Sequence, residues 1–333
     1  MKKALAVVLS LLLIFTVASC DNQIAQTSSV ETSSQDITED TKINIAVLKG
    51  PTAFGSLGVM APARGDESPY NFTVAAAPEE VSGKLIKGEY DIAAVPTNLA
   101  ATLYNKTNGE VQMLAVNTLG TLYVVSKNVE INSVSDLKGK TIYVSGQGST
   151  PEFALDYILS QNSIDPDNDV TIEFKSEHSE VVALLATSES GIAVLPEPFV
   201  TNANVKDENI KVALDLTKEW RTVGEGSELV MGCLVVRKSF AEENKDAVLK
   251  FLDEYKKSIE LTATDVDYVA QLSGQLDIVP EAVAKKAIPN CNIKYLDGEE
   301  MKTAVNGFLT VLFNAEPKSV GGKLPDDTLY FNK

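Results

Sequence analysis

The chain has 333 residues, 44% of them hydrophobic, and carries 46 acidic against 29 basic side chains for a formal net charge of −17. That balance argues against nucleic acid and anionic lipid headgroups as partners, since both would be repelled. The three cysteines form neither a disulfide framework nor a zinc spacing. The acid is spread along the chain and reads as a solvated surface. Cys233 and Cys291 lie in the apolar or mixed segments MGCLVV and PNCNIKYL and read as buried thiols, with pairing in an oxidising compartment left open.

The opening MKKALAVVLSLLLIFTVASC has Lys2 and Lys3, an apolar run from Ala4 to Val17 and small residues before Cys20, the layout of a secretory signal. The run is shorter than the roughly 20 residues a spanning helix needs. Val17-Ala18-Ser19-Cys20 resembles the lipobox of bacterial lipoproteins, which implies removal of residues 1–19 and a diacylglyceryl group on the Cys20 thiol. Two acyl chains on one residue give stable anchoring; ordinary cleavage near Cys20 is the alternative. Residues 20–42 are almost all polar and read as a flexible, lipid-anchored tether. The expected location is extracytoplasmic, with membrane contact through the lipid alone.

From residue 43 short apolar runs alternate with helical stretches, the pattern of an α/β fold with mostly parallel sheets. The expected strands are 43–48, 72–77, 91–96, 111–117, 121–126, 140–145, 170–174, 190–196, 210–216 and 229–237. The stretch from Phe240 to Thr262 reads as one long helix with Phe240, Val248, Phe251, Leu252, Tyr255 and Ile259 on one face. Ile92, Ala93 and Pro96 match Ile192, Ala193 and Pro196 at a constant offset. Earlier in each half, INIAVLKGPTAFGSLG and KTIYVSGQGSTPEFAL each lead from a strand through a Gly-bearing loop into a helix. The duplication implies two lobes whose loops, at the carboxyl ends of parallel strands, face one cleft.

The segment SVSDLKGKTIYVSGQGS, the KGEYDIAAVPT element and the SGIAVLPEP element resemble solute-binding proteins of ABC importers, in the group of nitrate, sulfonate, taurine and thiamine-precursor binders. The resemblance runs from Ile43 to about Phe313, and its most telling piece is the turn Asp136-Leu137-Lys138-Gly139-Lys140. It implies a two-lobed periplasmic-binding fold of type II that closes by a hinge on a small solute. Lobe one would hold 43–118 and 233–333 and lobe two 119–232, with VQMLAVNTLGTLYVVS and ELVMGCLVVR as crossing segments. The implied partners of a monomer are a permease and its ATPase subunit. Family members usually carry an acidic residue in both duplicated elements; here Asp91 has no counterpart in Ser190-Gly191-Ile192.

The binding chemistry expected in the cleft rests on three loops. In GQGSTPEF, Ser149 or Thr150 is placed to cap a helix with Pro151 in its first turn, beside Gln147. Free N–H groups at such a helix start favour an anion or a ligand carbonyl. The same physics applies to Thr52, Ala53 and Phe54 in GPTAF and to Thr97 and Asn98 in PTNLA, with Thr118 on a crossing segment. Arg221, beside the sole tryptophan Trp220, could clamp an acid against a flat wall, or be a surface ion pair near a half-buried ring. Glu197, between two prolines, could bind an amine; together with Arg221 it would suit a zwitterion or an aminopyrimidine.

Reactive groups are scarce, so no chemistry and no cofactor are expected. The only histidine, His178, reads as a polar helix start without a role. No G-x-S-x-G elbow occurs, Ser135-x-x-Lys138 lacks a K-T-G partner, and GQGSTP has Pro151 where a dinucleotide fingerprint needs Gly. One enzymatic alternative is a pyridoxal-phosphate-using pyrimidine-precursor synthase of the same fold, although its cysteine-rich motif is missing. Another alternative is a lipoprotein that presents its ligand to a sensor.

Overall fold

The computed structural model describes residues 42–64 and 68–333. The expected signal, the tether before residue 42 and Cys20 lie outside these residues. In chain order, β1 (Ile43–Leu48) leads into α1 (Pro51–Phe54) and α2 (Leu57–Met60), then β2 (Tyr70–Ala75), α3 (Pro78–Lys87), β3 (Ile92–Pro96), α4 (Thr97–Lys106) and β4 (Val111–Leu119). Next come β5 (Leu122–Lys127), β6 (Thr141–Ser145), α5 (Thr150–Gln161), β7 (Thr171–Lys175), α6 (His178–Thr187), β8 (Gly191–Pro196), α7 (Phe199–Lys206), β9 (Ile210–Asp215) and α8 (Leu216–Val223). The last part is β10 (Val230–Arg237), α9 (Lys238–Glu243), α10 (Lys245–Thr264), α11 (Val266–Gln275), α12 (Glu281–Ala287), β11 (Ile293–Leu296) and α13 (Gly298–Ala315). No helix of the described residues is long and apolar enough to cross a membrane.

Local rules account for these boundaries. Helix α3 starts on Pro78 with Glu79 and Glu80 in its first turn, carries Lys84 and Lys87 in its last, and stops at Gly88, whose φ of 79° favours glycine. Its buried side chains, Val81 and Leu85, lie one turn apart. The single helix expected over 240–262 is two, because Asn244 takes an extended φ of −129° between α9 and α10. Val248, Phe251, Leu252, Tyr255 and Ile259 of α10 are buried on one face.

The strands form two sheets, ordered β2-β1-β3-β10-β4-β11 and β7-β6-β8-β5-β9. Both are mixed rather than mostly parallel. In the first, β1 runs parallel to β2 and β3, and β10 runs antiparallel to β3 and β4. In the second, β6 runs parallel to β7 and β8, and β5 runs antiparallel to β8 and β9. The antiparallel members arise where the chain passes between sheets: β5 and β10 each arrive from the other sheet and pair beside a strand that ends in proline. Gly232 faces Pro96, and Leu122 faces Pro196.

The same register explains the lost acid of the second repeat. Arg237 at the end of β10 binds the Asp91 carboxylate at 2.7 Å, and that carboxylate also accepts the Asn44 N–H at 2.9 Å. In the second sheet Lys127 ends β5 opposite Gly191, the position equivalent to Asp91. A Cβ on Gly191 would lie 2.9 Å from Leu185 Cδ2. Lys127 is served instead by Asp207 after α7, at 2.7 Å, and by the carbonyls of Leu185 and Ala186 at the end of α6. Each sheet thus keeps one paired cation at this corner, buried in Lys127 and part-buried in Arg237, with its counter-charge from a different place.

One apolar core runs through both sheets, joining Val95 and Val116 of the first to Val144 and Val194 of the second. Trp220 sits in it, fully buried, with its ring 5.1 Å from Tyr157 and 5.3 Å from Phe308. Cys233 and Cys291 are both buried and free, so they make no disulfide, and burial raises the pKa of each thiol. Replacing Asp91 by Ala leaves Arg237 without its counter-charge, and we expect a loss of about 3 kcal/mol of unfolding free energy in urea titrations at unchanged slope.

Candidate functional site

A cavity of about 80 Å³ opens between the carboxyl ends of the two sets of strands. From the first sheet it is lined by Leu48, Lys49, Gly50, Pro51 and Thr52 after β1, by Ala76 and Pro78 after β2, by Pro96 ending β3, and by Thr118 and Met231 on the crossing strands β4 and β10. From the second it is lined by Ser145 and Gly146 after β6, Ser149 and Pro151 at the start of α5, Ser176, Glu177 and His178 after β7, and Pro196 ending β8. Each repeat contributes its strand-to-helix loops, as the duplication implies.

The expected site residues fall into three groups. Thr52, Thr118 and Ser149 line the cavity. Their hydroxyls make local bonds: Thr52 Oγ1 donates to the Leu48 carbonyl at 3.2 Å, Thr118 Oγ1 to Asn117 Oδ1 at 3.1 Å, and Ser149 Oγ to the Gly146 carbonyl. Ser149 is the N-cap residue of α5 but its side chain does not cap the helix, and Pro151 stands in the first turn. Gly146 and Gly148 have φ of 76° and 75°, where a side chain would cost roughly 1–2 kcal/mol.

A second group stands just behind the wall. Ala53 and Phe54 are fully buried core residues. Thr97 is buried beside the Cys233 thiol, Asn98 is buried against the α5 loop, and Thr150 Oγ1 donates to Asn98 Oδ1 at 3.1 Å. Gln147 is exposed at the loop tip.

Glu197, Trp220 and Arg221 lie elsewhere, which corrects the expectation of an acid clamp and an amine site in the cleft. Glu197 is spent on a helix start: its carboxylate accepts the Thr201 N–H at 3.0 Å and the Thr201 hydroxyl at 2.9 Å. Trp220 faces the core and donates from Nε1 to Ser227 Oγ at 3.1 Å. Adjacent helix residues point about 100° apart, so Arg221 emerges on the surface and pairs loosely with Glu228 at 3.6 Å. It lines a separate surface groove with Glu225, Glu299 and Glu300. Arg237 is held by Asp91, so the cation that reaches the cavity wall is Lys49, with only a 3.7 Å contact to Asp277.

His178 is the residue that sequence reasoning set aside. It opens α6, faces the cavity, packs against the tilted ring of Phe199 with centroids 4.8 Å apart, and is hydrogen-bonded through Nδ1 to Ser145 Oγ. Its signal was available: it starts a helix directly after a parallel strand, the same position that marked the other loops. Burial pushes the imidazole pKa down to about 4, so the ring is neutral at pH 7. Because the unfolded chain would take that proton near 6.5, the associated stability is present above that pH and is lost as pH falls toward 4. A proton NMR titration of this single histidine should show its midpoint near 4; a midpoint near 6.5 would mean a solvated ring. Among the described residues no group of three or more His, Cys, Asp or Glu is placed to hold a metal.

Comparison with known proteins fits this geometry. A model of the family described as ABC transporter, phosphonate, periplasmic substrate-binding protein matches residues 67–276. An ABC transporter protein of Parabacteroides distasonis shares 27% identity over 88% of this chain and 100% of its own, with a TM-score of 0.72. The periplasmic aliphatic sulphonate-binding protein SsuA of Escherichia coli has 15% identity over 85% and 94%, TM-score 0.69. The nitrate-binding protein NrtA of Synechocystis has 14% identity over 84% of both chains, TM-score 0.62. At these last two identities the likeness is one of fold. No curated protein sequence matches the chain. Such binding proteins are extracytoplasmic, bind small solutes and work with a permease and its ATPase. With a family match over more than half its length and this two-sheet cleft, the chain belongs to the periplasmic substrate-binding proteins of the ABC transporter phosphonate family and is the substrate-binding component of an importer.

Proposed function

We propose that the cavity captures a small oxyanion of the phosphonate or sulfonate type, and that the protein delivers it to its permease without altering it. The observation that carries this is the convergence of Thr52, Thr118, Ser145, Ser149 and the neutral His178 on one small cavity that no described arginine lines. On binding, the Thr52, Thr118 and Ser149 hydroxyls would turn to the anion from the local acceptors they hold here, and Lys49 on the same wall would offset the Glu177 carboxylate, without a guanidinium clamp. The helix α5 starts at the same wall and adds its positive end. The two lobes would close over the solute by bending at the crossing strands. A lipid on Cys20 and the 20–42 tether would keep a monomeric protein beside its transporter, and no feature of the cavity calls for a cofactor.

Methylphosphonate, methanesulfonate, taurine and nitrate, tested by thermal shift and calorimetry, check the solute class. A true solute at 100 times its dissociation constant should stabilise the fold by about 2.7 kcal/mol, and silence across the panel would overturn the reading. A bound anion raises the imidazole pKa, so affinity for methanesulfonate, whose own charge is constant, should rise as pH drops from 8 to 5. His178→Gln should flatten that dependence. Arg221→Ala should leave affinity within about twofold, since a distant exposed pair contributes little.

The anchor is checked separately by fractionating cells that express the full chain. Cys20→Ser should move the protein from the membrane to the soluble fraction, whereas unchanged membrane association would remove the lipid from the account.

A further inference from the structure

Asn98 was expected to touch the ligand, yet it lies behind the cavity wall and is 1% exposed. Its amide is fully used. Nδ2 donates to the Gly148 carbonyl and to the Ser319 carbonyl, each at 3.1 Å, and Oδ1 accepts from Thr150 Oγ1 at 3.1 Å. These partners belong to different parts of the fold. Gly148 and Thr150 flank the cavity-lining Ser149 in the loop from the second sheet, whereas Ser319 sits in a 3-10 turn, Pro317–Val320, that packs on α4 and α13 beside the first sheet. One side chain therefore ties the ligand loop of one lobe to the body of the other.

The loop needs such a tie. Gly146 and Gly148 both adopt left-handed φ and bring no side chain of their own, and Gln147 between them is exposed. Within its own lobe the loop is held by the Ser149 hydroxyl on the Gly146 carbonyl and by the Gly148 N–H on the Glu152 carboxylate. Both of these would travel with the loop if the lobes moved apart. The Asn98 bonds would not, because Asn98 stays with α4.

We propose that Asn98 is a positioning residue: it clasps the 146–150 loop across the lobe boundary, so that ordering of the ligand loop and closure of the cleft are one event. It sets the geometry of Ser149 without touching the solute, and its loss opens the cleft to solvent and shortens the residence of whatever is bound. The inference rests on the proposed ligand site for its binding consequence, while the clasp itself is a property of the free protein.

The test compares wild type, Asn98→Ala, Thr150→Val and the double variant in the full chain. Without ligand, hydrogen exchange by mass spectrometry should rise about tenfold or more in peptides covering 146–150 and 317–320 in Asn98→Ala, with β1, β3, β6 and β8 still protected. Small-angle scattering should show a larger radius of gyration. With methylphosphonate as the probe, the dissociation rate should rise about tenfold with little change in the association rate. The double variant should be no worse than Asn98→Ala, since both changes break one network. Unchanged exchange in the 146–150 loop, or additive losses in the double variant, would overturn the clasp. Should Asn98→Ala fail to fold, Thr150→Val removes one of the three bonds at constant volume, and normal loop exchange in that variant would count against the clasp equally. Loop loosening without any methylphosphonate binding in wild type would support the clasp and refute the proposed solute class.

Discussion

Everything about the cleft depends on where the chain crosses between the two sheets. Both strands that arrive from the other sheet, β5 and β10, run antiparallel to the strand they join and settle beside one that ends in proline. Proline has no N–H to donate to the ladder; Pro96 and Pro196 end β3 and β8, and both line the cavity. The loops that follow β1, β2, β6 and β7 are thereby aimed at each other. The shared core around Trp220, Tyr157 and Phe308 packs one flank of the junction between the sheets.

Electrostatics follow from the same frame. The proposed anion would enter a protein of large negative charge against its overall field, and the arginines with described side chains are engaged elsewhere, Arg237 on Asp91 and Arg221 on Glu228. The cavity is left with hydroxyls, the end of α5, Lys49, the Glu177 carboxylate and a desolvated imidazole. On the proposed reading such groups would recognise an oxyanion by geometry and release it if the lobes part, which suits a protein whose task is to hand its cargo on. The neutral state of His178 adds a proton to the exchange, because an anion that enters its shell makes protonation easier.

Much of the fold was legible in the sequence. Ten strands follow from alternating apolar runs, and the Ile92/Ile192 and Pro96/Pro196 correspondence marks the duplication, because these residues serve backbone geometry that repeats. What escaped was set by docking. β11 is short and only partly buried, so its pattern is faint. On α8 nothing in the sequence says that Trp220 faces inward and Arg221 outward. Glu197 reads as a free acid until the turn of α7 brings the Thr201 N–H to it. His178 starts a helix after a parallel strand, as the other loop residues do, whereas nothing in the sequence of α4 says that Asn98 faces the neighbouring lobe rather than the cavity.

A structure determined with saturating methylphosphonate should hold the oxyanion between the two sheets, within hydrogen-bonding distance of Ser145, Ser149 and His178, with Arg221 still on the surface beside Glu228. Ligand density in the Arg221 groove with the cavity empty would contradict that placement.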